Sequence, residues 1–124
     1  MIEASRITDY HAHIYYDDAE QRAFAGVLRE AIGQKFTVVL GRWHDKPVGP
    51  HPISMYQVAF QPEEFARLVP WLALNHGTLS VLIHPETGDD PTDHSVHALW
   101  LGAPLPLDIE YLRRFGRTPS AAPR

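Results

Sequence analysis

The sequence predicts an α+β domain in which two helices cover one face of an antiparallel sheet. Three observations predict it. Hydrophobic periodicity switches along the chain in the order β-α-β-β-α-β, followed by a C-terminal addition. The strands sort aliphatic residues to one side and histidines to the other. The chain has 124 residues and 14.0 kDa, the length of one domain.

The elements follow in order. Residues 7–16 read as a strand rich in aromatic and β-branched residues, with His11 and His13 on one face and Ala12 and Ile14 on the other. Asp17 and Asp18 signal a helix N-cap. The helix is expected to run to about Ile32, with Phe24, Val27, Leu28 and Ile32 inward and Gly33 ending it. Residues 36–43 form the second strand. Residues 44–52 hold three prolines and a glycine, so they make a constrained loop. Residues 53–60 are the third strand. Gln61-Pro62-Glu63-Glu64 opens a second helix with Phe65, Leu68, Val69 and Leu72 on one stripe. Pro70 is expected to kink that helix or shift its start, and Asn75-His76-Gly77 closes it. Residues 79–84 are the fourth strand, with Leu79, Val81 and Ile83 on one face and Ser80, Leu82 and His84 on the other. A polar loop spans 85–93, a short fifth strand 96–101, and a short helix 109–115. The domain is expected over 1–116, with 117–124 a disordered tail.

This order is that of the ferredoxin-like arrangement, in which the first and fourth strands are neighbours and both helices share a face. Ala12, Ile14, Val81 and Ile83 are then assigned to the helices. His11, His13 and His84 fall together on the open face, where three imidazoles come within reach of one metal ion. His51 precedes the third strand, and Pro50 and Pro52 restrict its backbone, which preorganises it toward the same place. The bland reading stands beside this one: a His-X-His on a strand is most often an exposed or hydrogen-bonded pair. Leu82 and Trp100 on the open face need cover, from a homodimer contact or from the C-terminal segment.

Composition bounds the function. There are 8 His and no Cys, so thiolate zinc sites, disulfides and cysteine nucleophiles are excluded, and histidine is the route to a metal or to acid–base chemistry. Imidazoles suit iron, zinc, copper or nickel. A formal net charge of −4 argues against nucleic-acid binding. No apolar run is long enough for a membrane span and no signal peptide is evident, so a cytoplasmic protein is expected. His94 and His97 flank the polar loop, and Asp93-His94 resembles a carboxylate–imidazole pair. Arg42 offers a planar fork for a substrate carboxylate, though a strand arginine is more often plain surface. His44 reads as a loop histidine and His76 as a helix end.

Four stretches, in order, carry a family resemblance: Tyr10-His11-Ala12-His13-Ile14-Tyr15-Tyr16, Gly49-Pro50-His51-Pro52, residues 79–89 through Ile83-His84-Pro85-Glu86-Thr87-Gly88-Asp89, and Asp93-His94 with Ala98-Leu99-Trp100-Leu101-Gly102. Over about residues 7–115 the sequence resembles the DOPA 4,5-dioxygenase family of small extradiol ring-cleaving dioxygenases. The resemblance implies a ferredoxin-like fold, non-haem Fe(II) (with zinc or nickel able to replace it), a catechol substrate and O₂. It makes His11, His13, His51 and His84 the expected metal ligands, with an all-histidine set because no carboxylate is found on the strand face. His94, with His97 behind it, is the expected acid–base group. Arg42 or His44 is expected to hold the carboxylate or amino end of the substrate. The competing class is a non-catalytic metal- or small-ligand-binding module, which keeps the histidines but needs no acid–base residue beside them.

Overall fold

The computed structural model describes residues 1–119. Its elements are β1 (Asp9–Tyr15), α1 (Ala19–Lys35), β2 (Val39–His44), β3 (Met55–Phe60), α2 (Phe65–Asn75), β4 (Val81–Glu86), α3 (Asp90–Asp93), β5 (Leu99–Leu101) and α4 (Ile109–Phe115). The five strands form one antiparallel sheet in the order β2-β3-β1-β4-β5.

Alternation along the strands separates two apolar layers. Ala12 and Ile14 of β1, Tyr56 and Val58 of β3, and Val81 and Ile83 of β4 pack against Ala25, Leu28 and Ile32 of α1 and Leu68 and Leu72 of α2. Both long helices therefore share one face. On the opposite face Tyr15, Met55 and Leu82 form a smaller cluster, joined by Val48, Ile53, Trp100, Leu105 and Leu107. The chain's own C-terminal segment thus supplies cover over Leu82. Asp108 N donates to Pro50 O at 2.9 Å, which ties that segment to the proline-rich loop.

Several expectations are corrected. α1 runs through Gly33 to Lys35 rather than ending there. A Cβ on Gly33 would meet Leu40 Cδ1 at 3.2 Å, so this glycine lets helix and strand approach closely. The buried face of α1 is Ala25, Leu28 and Ile32, while Phe24 and Val27 are exposed. Small Ala25 brings the helix near the sheet, where Tyr56 Oη donates to Ala25 O at 2.7 Å. α2 begins at Phe65 after a 3₁₀ turn at Pro62–Glu64. Pro70 lies inside it without ending it; both Pro70 and Ala66, whose carbonyl loses its N–H donor, are exposed to solvent.

β4 does not stop at His84 but continues through Pro85 to Glu86. Proline is tolerated because pairing with β5 ends at Ile83, leaving this part of β4 at the sheet edge. The loop expected over 85–93 contains α3, capped by Asp89 accepting from Thr92 N. In β2 the register shifts between Leu40, opposite Val58, and Trp43, opposite Tyr56. That extra residue lets both apolar side chains reach the helix layer although they are three apart. Arg117, assigned by sequence to the tail, is instead bonded to Asp90 through its backbone in both directions. The rest of that expected tail, 120–124, lies outside the described residues.

Candidate metal centre

β1 and β4 carry the centre of the site. His11 lies directly opposite His84 across the antiparallel pair, and His13 lies opposite Leu82. His13 and His84 are therefore diagonal neighbours on one face, with their Nε2 atoms 3.0 Å apart. One ring nitrogen from each of His11, His13 and His84 falls within 4.8 Å of the others. His94 follows α3 and stacks over His84, ring centroids 3.8 Å apart. His51 is presented by a turn in which its N–H donates to Val48 O, with Gly49 at φ +56° where a side chain would be strained. Its ring centroid lies 4.3 Å from that of His13. Five imidazoles thus meet on one face; His84 is fully buried, and His11 is the most exposed.

Hydrogen bonds fix which nitrogen is free on three of the rings. A carbonyl only accepts, so His84 donates from Nδ1 to Pro85 O at 3.0 Å, and His94 donates from Nδ1 to Asp90 O at 2.7 Å. His11 Nδ1 faces Glu86 Oε1 at 3.0 Å. Neutral His84 and His94 therefore keep a bare Nε2, whereas His11 has a carboxylate near each nitrogen, with Asp9 Oδ2 3.5 Å from its Nε2. His51 is the opposite case. The buried hydroxyl of Tyr15 lies 2.7 Å from His51 Nδ1, the one hydrogen-bond partner it has among the described residues. A buried phenol donates where it has one acceptor. Neutral His51 therefore carries its proton on Nε2. Burial raises the Tyr15 pKa, keeping it a phenol.

Burial is the leading cause that keeps the cluster uncharged. It lowers the pKa of His84 to about 2 and of His51 to about 3, with neighbouring imidazoles adding to the effect. His13 is lowered well below its ordinary value, and His11 and His94 are lowered too. Neutral imidazole is the metal-binding form.

The donor set fits a divalent cation. Two nitrogens each about 2.1 Å from one ion and at right angles to each other are separated by about 3.0 Å. That is the His13–His84 spacing. His13 Nδ1, the ring nitrogen turned away from His84, is buried with no hydrogen-bond partner among the described residues, and an ion at Nε2 does not account for it. The Nδ1 bond of His84 to Pro85 O is the kind of outer contact that orients a metal-binding imidazole, and Glu86 Oε1 lies 3.0 Å from His11 Nδ1.

Glu86 was not foreseen. It shares the open face with His84, is buried, and holds His11. Reading the strand as ending at His84 hid it, although the alternation that placed His84 also places Glu86. The expectation that no carboxylate lies on this face is therefore corrected. Burial pushes the Glu86 carboxyl up to about 7, against the opposing pull of Arg117.

The other sequence candidates fall elsewhere. His44 lies opposite Met55, on the open face, and its charge would be felt at His51. Arg42 is exposed on β2, next to Trp43, which packs on the helix layer. His97 is not among the five. Its Nδ1 lies 2.9 Å from Asp93 Oδ1, a carboxylate that also accepts from Thr87 N and Oγ1. His97 lines a separate cavity of about 300 Å³ with Tyr10, Phe65, Pro85 and Leu99.

Fold and site together define a small α+β protein with a histidine-rich candidate metal centre. The sequence model of the Dopa 4,5-dioxygenase family matches residues 10–111. The chain is 34% identical over 116 residues to DOPA 4,5-dioxygenase of Amanita muscaria, covering 87% of this chain and 51% of that protein. It is 37% identical over 122 residues to an uncharacterized 21.2 kDa protein of Botryotinia fuckeliana, covering 91% of this chain and 67% of that one. The chain thus spans about half the length of the Amanita protein. A crystal structure of a candidate dioxygenase from Nostoc punctiforme superposes with a TM-score of 0.90 at 54% identity, covering 92% of this chain and 98% of that one. The chain belongs to the DOPA 4,5-dioxygenase family.

Proposed function

We propose that this protein is an extradiol dioxygenase that opens the ring of a DOPA-like catechol with O₂, on a ferredoxin-like frame. His11, His13 and His84 hold Fe(II), with His51 and His94 alongside. The observation that supports this most directly is the set of opposed tautomers converging on one face: bare Nε2 atoms on His84 and His94, and an Nε2–H on His51. A non-catalytic metal-binding module has no use for an outward proton donor and a bare acceptor flanking the ligands.

Bound Fe(II) supplies the redox centre that lets O₂ react with a catecholate. The rest falls to the chain's own residues. His94, with Nδ1 fixed on Asp90 O, is a proton acceptor for a catechol hydroxyl and later returns that proton. His51, held by Tyr15, donates a hydrogen bond from Nε2 to oxygen that gains negative charge. Asp93 and Thr87 pin the turn that precedes His94. Buried Leu82 and Tyr15, with Trp100, wall the site and exclude water. His44 and Arg42, at the β2 side of the open face, take the polar end of the substrate. One ring C–C bond next to the diol breaks, and both atoms of O₂ remain in the product.

Oxygen uptake by protein loaded anaerobically with Fe(II), read against a panel of catechols, tests this. Uptake matched one to one by a ring-opened chromophore is the expected result. Stoichiometric Fe(II) binding without uptake on any catechol would favour the module.

A further inference from the structure

The end of the described chain returns to the site. After α4, the backbone of Arg117 bonds to Asp90 twice, Asp90 N donating to Arg117 O at 2.8 Å and Arg117 N donating to Asp90 Oδ2 at 2.7 Å. The Arg117 guanidinium also pairs with Glu86 Oε2 and reaches Asp90 Oδ1 at 3.4 Å. Gly116 allows this close passage, since a Cβ there would lie 2.7 Å from Leu112 O and 3.1 Å from Asp90. Each residue gripped by Arg117 orients one imidazole: Glu86 Oε1 meets His11 Nδ1, and Asp90 O accepts from His94 Nδ1.

We infer that Arg117 and Glu86 are positioning residues, forming a C-terminal latch that sets the ring orientation of His11 and His94 at once. The inference rests on the proposed metal-dependent reading, which makes His11 a ligand and His94 a base. Glu86 acts from outside the ligand set, because one oxygen is committed to His11 and the other to Arg117. A carboxylate behind a ligating imidazole fixes its tautomer and raises its basicity. One guanidinium nitrogen, Nη2, makes both contacts, so the head group is held between Glu86 and Asp90.

The experiment measures competitive Co(II) affinity and histidine side-chain nitrogen NMR on the full chain, for parent, Arg117→Ala, Arg117→Lys, Glu86→Gln and, as a control, Arg114→Ala. Arg117 is largely solvent-exposed at its side chain, so its removal leaves the core intact. Arg117→Ala and Glu86→Gln are expected to weaken Co(II) binding by about 10–100-fold. The Nδ1–H signals of His11 and His94 should broaden or shift in metal-free Arg117→Ala, that of His11 alone in Glu86→Gln. Arg117→Lys should fall between, and Arg114→Ala should match the parent. In turnover, kcat should fall more than KM rises. Parental Co(II) affinity and unchanged His11 and His94 signals in Arg117→Ala would overturn the latch. If the parent itself bound no Co(II), the metal-dependent reading would fail, while the metal-free NMR signals would still decide the latch.

Discussion

In the proposed reading, two histidines separate binding from proton transfer. His84 is fully buried, its Nδ1 is spent on Pro85 O, and its Nε2 faces His13. Its replacement by alanine removes a ligand and leaves His13 facing a void, so metal content and ring cleavage should both be lost. His94→Ala should cut turnover by roughly 10²–10⁴-fold while sparing the metal. Metal analysis beside steady-state rates separates the two. Equal metal loss in both variants would make His94 a ligand instead of a base. His97→Ala should leave metal content at the parental level, because its ring is tied to Asp93 away from the cluster.

Much of this cluster was legible in the sequence, because period-2 alternation needs only strand identity. His11, His13 and His84 were placed on one face by the aliphatic residues between them. Other roles depend on contacts that alternation does not encode. Glu86 was hidden by a proline that usually ends a strand. His97 was grouped with His94 by proximity in sequence, but the α3 turn pairs it with Asp93, four residues earlier. The tautomer of His51 depends on Tyr15, a partner 36 positions away.

The elements are held in place by a large apolar layer and a few polar ties. Leu68 of α2 is fully buried in the main core. Leu68→Ala should cost about 2–5 kcal/mol of stability, read by denaturant unfolding, without altering the metal stoichiometry of the folded fraction. A polar tie joins the end of β2 to α1 and β1: Asp45 Oδ1 accepts from Arg22 Nε and from Tyr16 Oη, each at 2.7 Å. These bonds lower the Asp45 pKa to about 2, from an ordinary 3.8. A depressed carboxyl stabilises the fold above its unfolded pKa, and that contribution is lost as pH falls through the folded value. Asp45→Asn should therefore lower the urea midpoint at pH 6, and the gap from the parent should shrink between about pH 4 and pH 2. A gap that stayed constant over that range would show that Asp45 acts through shape and not charge.

At the scale of the whole molecule, helices on one face leave the other free for chemistry, and the C-terminal segment closes around it. The strand order and the shared helix face followed from periodicity. The continuation of β4, the β2 bulge and the return of Arg117 did not, because each is set by a tertiary partner: the missing neighbour of Pro85, the helix layer under Leu40 and Trp43, and the carboxylates of Glu86 and Asp90. Among the described residues no helix is long and apolar enough to cross a membrane. The central claim is that this face inserts O₂ into a catechol, and isotope incorporation tests it most directly. Fe(II)-loaded protein given ¹⁸O₂ and a cleavable catechol should yield a ring-opened product carrying two ¹⁸O atoms before solvent exchange, and His84→Ala should yield none. Product without ¹⁸O, or equal incorporation by His84→Ala, would contradict the account.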